Sequence, residues 1–296
     1  MTNKYDVVIV GSGPAGLGAA FHLAENSDKR ILLIDKSRTS SGGLRNDCKQ
    51  NYTFPVGFPS ELWERGEAED YLRIVAEHLR PSYQDLGNLD TYEKRASRLG
   101  VRMLRIRQAH VGTDKAAALI EHLLAQLTAR GVETAFGTEV SAVEPAEKQV
   151  VLADTTRRGF ERLILAPGRA GSGWAQQCMN RMGVAYTDNI VDVGVRIELR
   201  ENNYPIVHDY YDPKFLFPDE VRTFCTNSGS AHVVTERYHS YYSVNGHSLS
   251  AARPGNGMVN FAMLKTIGLT DPVVSGHQFA DTLGQMAMRL SGGRPM

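Results

Sequence analysis

The stretch KYDVVIV, Lys4 to Val10, is almost unbroken apolar sequence, and a helical rhythm replaces it within a few positions. A run of that kind predicts a strand buried on both faces of a parallel sheet. Pro14 then stands where a helix's first turn needs no N–H. Ala15–Glu25 follows with Leu17, Ala20, Phe21 and Ala24 at the spacing of one buried stripe. RILLIDK, Arg30–Lys36, reads as a second buried strand ending in Asp35. Together these pieces predict one βαβ unit.

Beyond it the pattern loosens. Ser37–Trp63 is rich in Gly, Ser, Asn and Pro, a long irregular segment of the kind that is usually functional in compact domains. SELWERGEAEDYLRIVAEHL predicts a helix capped by Ser60, with Glu61 and Glu64 in its first turn. Thr113–Gly131 is a strong amphipathic pattern stopped by Gly131. A short β-meander follows, ending in a buried strand, Arg162–Ala166, and a Pro167-Gly168 turn. Past Gly173 the chain becomes a series of β-branched and aromatic pieces, and the tail from Ser275 reads as a helix ending in glycines. The expected fold is α/β: a Rossmann-like domain with an inserted, mostly β second domain. The expected division is 1–174, 175–275 and a helical tail at 276–296.

Composition narrows the classes. Lys+Arg and Asp+Glu both count 33 in 296 residues, so the formal net charge is zero and nothing draws the chain to nucleic acid or an anionic membrane. The basic stretch Arg95–His110 reads as a solvated strand-and-loop face. Three scattered cysteines, Cys48, Cys178 and Cys225, include no C-x-x-C pair and fit a reducing compartment. The polar start, MTNKYD, leads directly into the first strand, so the expected location is cytoplasmic.

The βαβ context makes the glycines meaningful. Gly11 permits a tight turn, Gly13 lets backbone approach a pyrophosphate, and Gly16 allows close helix–strand packing. The helix N-terminus offers free N–H groups and partial positive charge to phosphate. Asp35, 24 positions after Gly11, stands where a ribose diol would lie and would repel a 2′-phosphate. A dinucleotide is the expected ligand. No G-x-S-x-G or H-E-x-x-H motif appears, His232, His239 and His247 match no common zinc spacing, and no second G-x-G-x-x-G exists for a nicotinamide cofactor. His110, His247 and Cys225 could act near a cofactor, but each also reads as structural, and no catalytic residue or metal ligand is assigned.

Taken together, YDVVIVGSGPAGLGAA, LLIDK, SGGLRND, GVETAFGTEV and LILAPGR resemble the FAD-binding half of glutathione-reductase-like flavoproteins. NYTFPVGFPSELW, HVGTD, DVGVRIE, YDPKF, VRTFCTN, VNGHS and NFAMLKT extend the resemblance to the bacterial family of uncharacterised FAD-dependent dehydrogenases. The resemblance implies FAD as cofactor. It implies that Gly11, Ser12, Gly13, Pro14, Ala15 and Gly16 face the pyrophosphate, with Asp35 and Lys36 at the ribose end. It adds Gly42, Gly43, Leu44 and Arg45 after the second strand, Val140 at the adenine, and the small-residue turn Ala166, Pro167 and Gly168. The implied activity is oxidoreduction of an unidentified small molecule. The alternatives are a flavin monooxygenase or halogenase, or a non-catalytic flavin-binding or scaffolding module. Members of that family continue further and return a "GD" segment to the flavin. The resemblance therefore leads us to expect a shortened chain, completed by a further segment, an oligomer or another subunit.

Overall fold

Strand β1 (Lys4–Val10), helix α1 (Pro14–Asn26) and strand β2 (Ile31–Asp35) form the opening βαβ unit of the computed structural model. The structure describes residues 4–39, 48, 50–52, 60–83, 87–188, 190–238, 240–269 and 275–295. After the first unit come β3 (Gln50–Tyr52), α2 (Arg65–Leu79), β4 (Ser82–Tyr83), α3 (Asp90–Arg98), β5 (Arg102–Leu104) and β6 (Arg107–His110). Helix α4 (Thr113–Ala129) leads to β7 (Glu133–Phe136), β8 (Val140–Glu144), β9 (Gln149–Leu152), β10 (Arg157–Leu165) and α5 (Ser172–Met182). The last stretch holds β11 (Val191–Arg200), β12 (Lys214–Leu216), β13 (Val221–Asn227), β14 (Ala231–Arg237), β15 (Tyr242–Ser248), β16 (Met258–Ile267) and α6 (Gly276–Leu290).

Two compact units emerge, each built from two separate pieces of chain. The first comprises 1–46 and 116–186; the second comprises 47–115 and 187–296. A linear division at 174 therefore misplaces residues 47–115, which belong with the β-rich part. Pairing across more than a hundred residues causes this. Strand β5 pairs antiparallel with β12, and Gln108 donates to the carbonyl of Asp212 at 2.5 Å. The buried Tyr210 hydroxyl accepts from the Ile106 N–H at 2.7 Å.

In the first unit a six-stranded sheet runs β7-β2-β1-β10-β9-β8, with β7, β2, β1 and β10 parallel and the last two antiparallel. Val8, Ile9, Leu33 and Ile34 are sealed from solvent, each burial stabilising by roughly 1.5–3 kcal/mol. Helix α1 buries Gly16, Leu17, Ala20 and Phe21, while Ala24 is half-buried at the stripe's end. Strand β10 is less enclosed than its sequence predicts. Only Phe160 of β10 is buried, and Leu163 and Leu165 pack half-exposed against the core.

The second unit carries a five-stranded antiparallel sheet, β11-β16-β13-β12-β5, a β14–β15 hairpin and a small β3-β6-β4 sheet. Met103, Val259, Ile206, Val207, Tyr210 and Leu89 form its core. Helix α2 starts four residues later than its cap pattern predicts. Glu64 is the extended N-cap, with no side chain capping the helix, and Ser60 lies in a preceding turn. Helix α6 is capped by Ser275, whose hydroxyl accepts from the Gln278 N–H at 3.4 Å.

Candidate functional site: a glycine turn at a topological switch point

From β1 the chain moves to β2 on one side, while β10 occupies the other. Val10 aligns with Ile34 and with Leu165 in the two parallel pairings. The carboxyl ends of β1 and β10 thus flank the crevice where open α/β sheets bind ligands. Gly11 closes the end of β1, donating to the Ile34 carbonyl at 2.8 Å, and Ala166 ends β10 by donating to Val10 at 2.8 Å.

Space forces the two outer glycines. Gly11 adopts φ +105°, and a Cβ there would stand 2.1 Å from the Ala166 carbonyl oxygen. A Cβ on Gly16 would stand 1.8 Å from the oxygen of Gly11. The turn is therefore in close backbone contact with helix α1 on one side and with Ala166 and Pro167 on the other. Helix α1 has Gly13 as N-cap, Pro14 in its first turn, no side-chain cap and no acidic residue in that turn. Its first N–H groups are left for an external acceptor, and the helix dipole favours an anionic one.

Asp35, 8% exposed, is hydrogen-bonded into this turn. One carboxylate oxygen accepts from both the N–H and the hydroxyl of Ser12 at 2.7 Å, and the other accepts from the Ser37 N–H at 2.8 Å. Ser12 itself is completely buried. Sequence spacing places the acid near a ribose; the structure adds that Ser12 and Asp35 are one hydrogen-bonded element. Gly137 and Thr138 escaped the sequence reading. Their N–H groups donate to the carbonyls of Ser37 and Asp35 at 2.9 Å, tying the end of β7 to the acid. The signal available was a glycine just after a strand, and Gly137 indeed takes φ +67°.

The remaining expected residues are placed as follows. The Lys36 amine lies 3.5 Å from the Ala170 carbonyl, next to the Pro167-Gly168 turn. Gly168, at φ +61°, begins the single 3₁₀ turn Arg169–Gly171. Val140 starts β8 with its side chain 6% exposed, in one cluster with Tyr5, Val8, Leu32 and Ile34. Gly42, Gly43, Leu44 and Arg45 lie outside the described residues.

The side chains singled out as possible chemistry sit in the second unit. His110 is 5% exposed and stacks on Tyr211, ring centroids 4.3 Å apart. His247 lies opposite His232 in the β14–β15 pair. Cys225 is half-buried, at φ +49°, where β13 bulges between Phe224 and Asn227. All three cysteines are free thiols. Among the described residues, no group of three or more His, Cys, Asp or Glu could hold a metal ion. No helix among them is long and apolar enough to cross a membrane.

A parallel sheet with a glycine turn, a bare helix N-terminus and an acid ending the second strand defines a dinucleotide-binding α/β protein. The family model for pyridine nucleotide-disulphide oxidoreductases matches residues 5–169, and the chain belongs to that family. The matched region is a Rossmann-like FAD-binding domain. An uncharacterised protein of Methanosarcina barkeri is 43% identical over 58 residues. That match covers 18% of this chain and 15% of the relative's length. Among solved structures, the L-amino acid deaminase of Proteus vulgaris is similar with TM-score 0.51 at 11% identity, over 95% of this chain and 66% of that one. Glycine oxidase from Geobacillus kaustophilus gives TM-score 0.48 at 17% identity, over 97% and 78% of the two chains. Likeness at such identities is one of fold.

Proposed function

We propose that this chain is an FAD-dependent dehydrogenase acting on a small organic molecule, with the ADP half of FAD seated on the Gly11–Gly16 turn. The carrying observation is the convergence of that turn, Asp35 and the 166–168 segment at the switch point. The described residues suit the ADP half chemically. The α1 N-terminus offers uncapped N–H donors to a pyrophosphate, and the Asp35 carboxylate has acceptor capacity for ribose hydroxyls. Bound FAD would supply the electron-accepting ring, so the fold needs only to bind, orient and shield it. The chain's own part in this reading is electrostatic: the helix end neutralises phosphate, and the acid selects a free 2′-hydroxyl.

The same reading assigns Gly42, Gly43, Leu44 and Arg45 to the cofactor, Lys36 and Val140 to its adenosine end, and the cytoplasm as location. A second copy or another subunit is the proposed partner that completes the flavin's surroundings. Stopped-flow reoxidation tests the reaction class. After anaerobic reduction of the FAD-loaded chain, a quinone dye should reoxidise the flavin faster than O₂ does, with no oxygenated product. Rapid O₂ consumption coupled to oxygenation of an added substrate would replace the dehydrogenase reading with a monooxygenase one.

A further inference from the structure

The five-stranded sheet of the second unit carries a groove that the nucleotide site does not use. Its cavity of about 540 Å³ is lined by Arg102, Leu216, Phe217, Val221 and Arg222, with Glu220 at the rim. The groove is open to solvent rather than enclosed.

Register explains how it is built. Leu216 of β12 pairs with Arg102 of β5 on one side and with Arg222 of β13 on the other. Directly opposed residues share a face, so the three side chains form one row, two cations flanking an apolar centre. Neighbouring strands lie about 4.8 Å apart, which sets the two arginine Cα atoms roughly 10 Å from each other. The arginines are not equivalent. Arg222 is committed to Asp192 at 2.5 Å, and Asp192 also accepts from Thr266 at 2.7 Å. Arg102 is exposed and has no carboxylate partner among the described residues.

The rim has its own peculiarity. Asp219 and Glu220 are consecutive left-handed residues at φ 60° and 61°, a strained arrangement for side chains other than glycine. The Phe217 N–H donates to the Val221 carbonyl at 2.8 Å and the Lys265 amine donates to the Asp219 carbonyl at 2.9 Å, which close this turn and tie it to β16.

We infer that this groove binds a small carboxylate with a short apolar body, its anionic end on Arg102 and its chain over Leu216, Phe217 and Val221. Of the charges facing the groove, Arg222 is neutralised by Asp192 and Glu220 repels an anion. Arg102 is therefore the cation left to receive an anion, with Glu220 working against it. A guanidinium fork receives a carboxylate through two parallel hydrogen bonds, and the apolar floor gives a hydrocarbon tail its contact. The site needs no residue of the glycine turn, so it stands or falls separately from the proposed activity.

Calorimetric titration of the full chain with hexanoate, hexanamide and hexylamine tests it. Hexanoate should bind saturably and more tightly than either neutral or cationic analogue. Arg102→Gln should weaken hexanoate about tenfold, the loss of one charge-assisted contact, and leave hexanamide unaffected. Glu220→Gln should keep or tighten hexanoate binding. Absence of hexanoate binding, equal binding of hexanamide or hexylamine, or unchanged affinity in Arg102→Gln would each overturn the inference. The three-ligand comparison on the unaltered chain decides the matter even if a variant fails to fold.

Discussion

At the residue scale, Asp35 binds the site together before any ligand arrives. Three donors converge on it: the Ser12 N–H, the Ser12 hydroxyl and the Ser37 N–H. Only a carboxylate presents acceptors on both sides. In Asp35→Asn one side becomes an NH₂ group, which must face a backbone N–H. The variant should lose about 1–3 kcal/mol of stability, the cost of leaving a buried donor unpaired. Chemical denaturation measures this, and a variant as stable as the parent would mean that the Ser12–Asp35 contact contributes nothing. Gly11, Gly16 and Asp35 were legible in the sequence because their spacing reflects covalent geometry that every such turn shares. Thr138 was not, because its role is carried by a backbone N–H, which leaves no residue signature; for Gly137 the one trace was a glycine just after a strand.

At the element scale, the strongest patterns became elements, but helices α3 and α5 had no counterpart in the sequence reading. The stretch Arg95–His110, expected as a solvated face, buries Met103, Ile106, Gln108, Ala109 and His110. β1, α1, β2, α4 and α6 lie within a residue or two of their expected bounds. Helix α2 departs at its start, where Ser60 resembled a cap but the chain remains in a turn until Glu64. Helix α4 shows what a sequence pattern cannot reveal. Asp114 in its first turn accepts from the N–H and hydroxyl of Ser250 at 2.6 and 2.9 Å and from Arg253 at 3.3 Å. Burial raises its pKa, but these hydrogen bonds prevail and hold the carboxyl below its ordinary value. A group whose folded pKa is depressed adds stability above its unfolded pKa and loses it as pH falls through the folded one. The chain should therefore soften as pH drops below the ordinary aspartate range, and Asp114→Asn should remove that part of the acid sensitivity. At neutral pH the same variant should cost about 1–3 kcal/mol, since the carboxylate is only 14% exposed. Thermal melts of both proteins between pH 3 and pH 7 check this, and parallel pH profiles would count against the Asp114–Ser250 clamp.

At the scale of the whole molecule, the class of fold was readable but its segmentation was not. The second unit comprises 47–115 together with 187–296, so residues from two distant stretches of the chain build it. Recruitment depends on the β5–β12 pairing and on Tyr210 and Gln108, contacts separated by more than a hundred positions. Local propensity carries no record of such partners.

The central claim is that the turn between β1 and α1 holds the pyrophosphate of a dinucleotide whose ribose 2′-hydroxyl is read by Asp35. Equilibrium titration with FAD, with ADP and NADP⁺ as competitors, measures it most directly, on the parent chain and on Gly13→Val. The parent should bind FAD, ADP should displace it, and NADP⁺ should compete poorly because its 2′-phosphate meets the Asp35 carboxylate. Gly13→Val should abolish binding, since its side chain would occupy the backbone's approach to phosphate. FAD affinity unchanged in Gly13→Val, or NADP⁺ competing as well as ADP, would contradict the account.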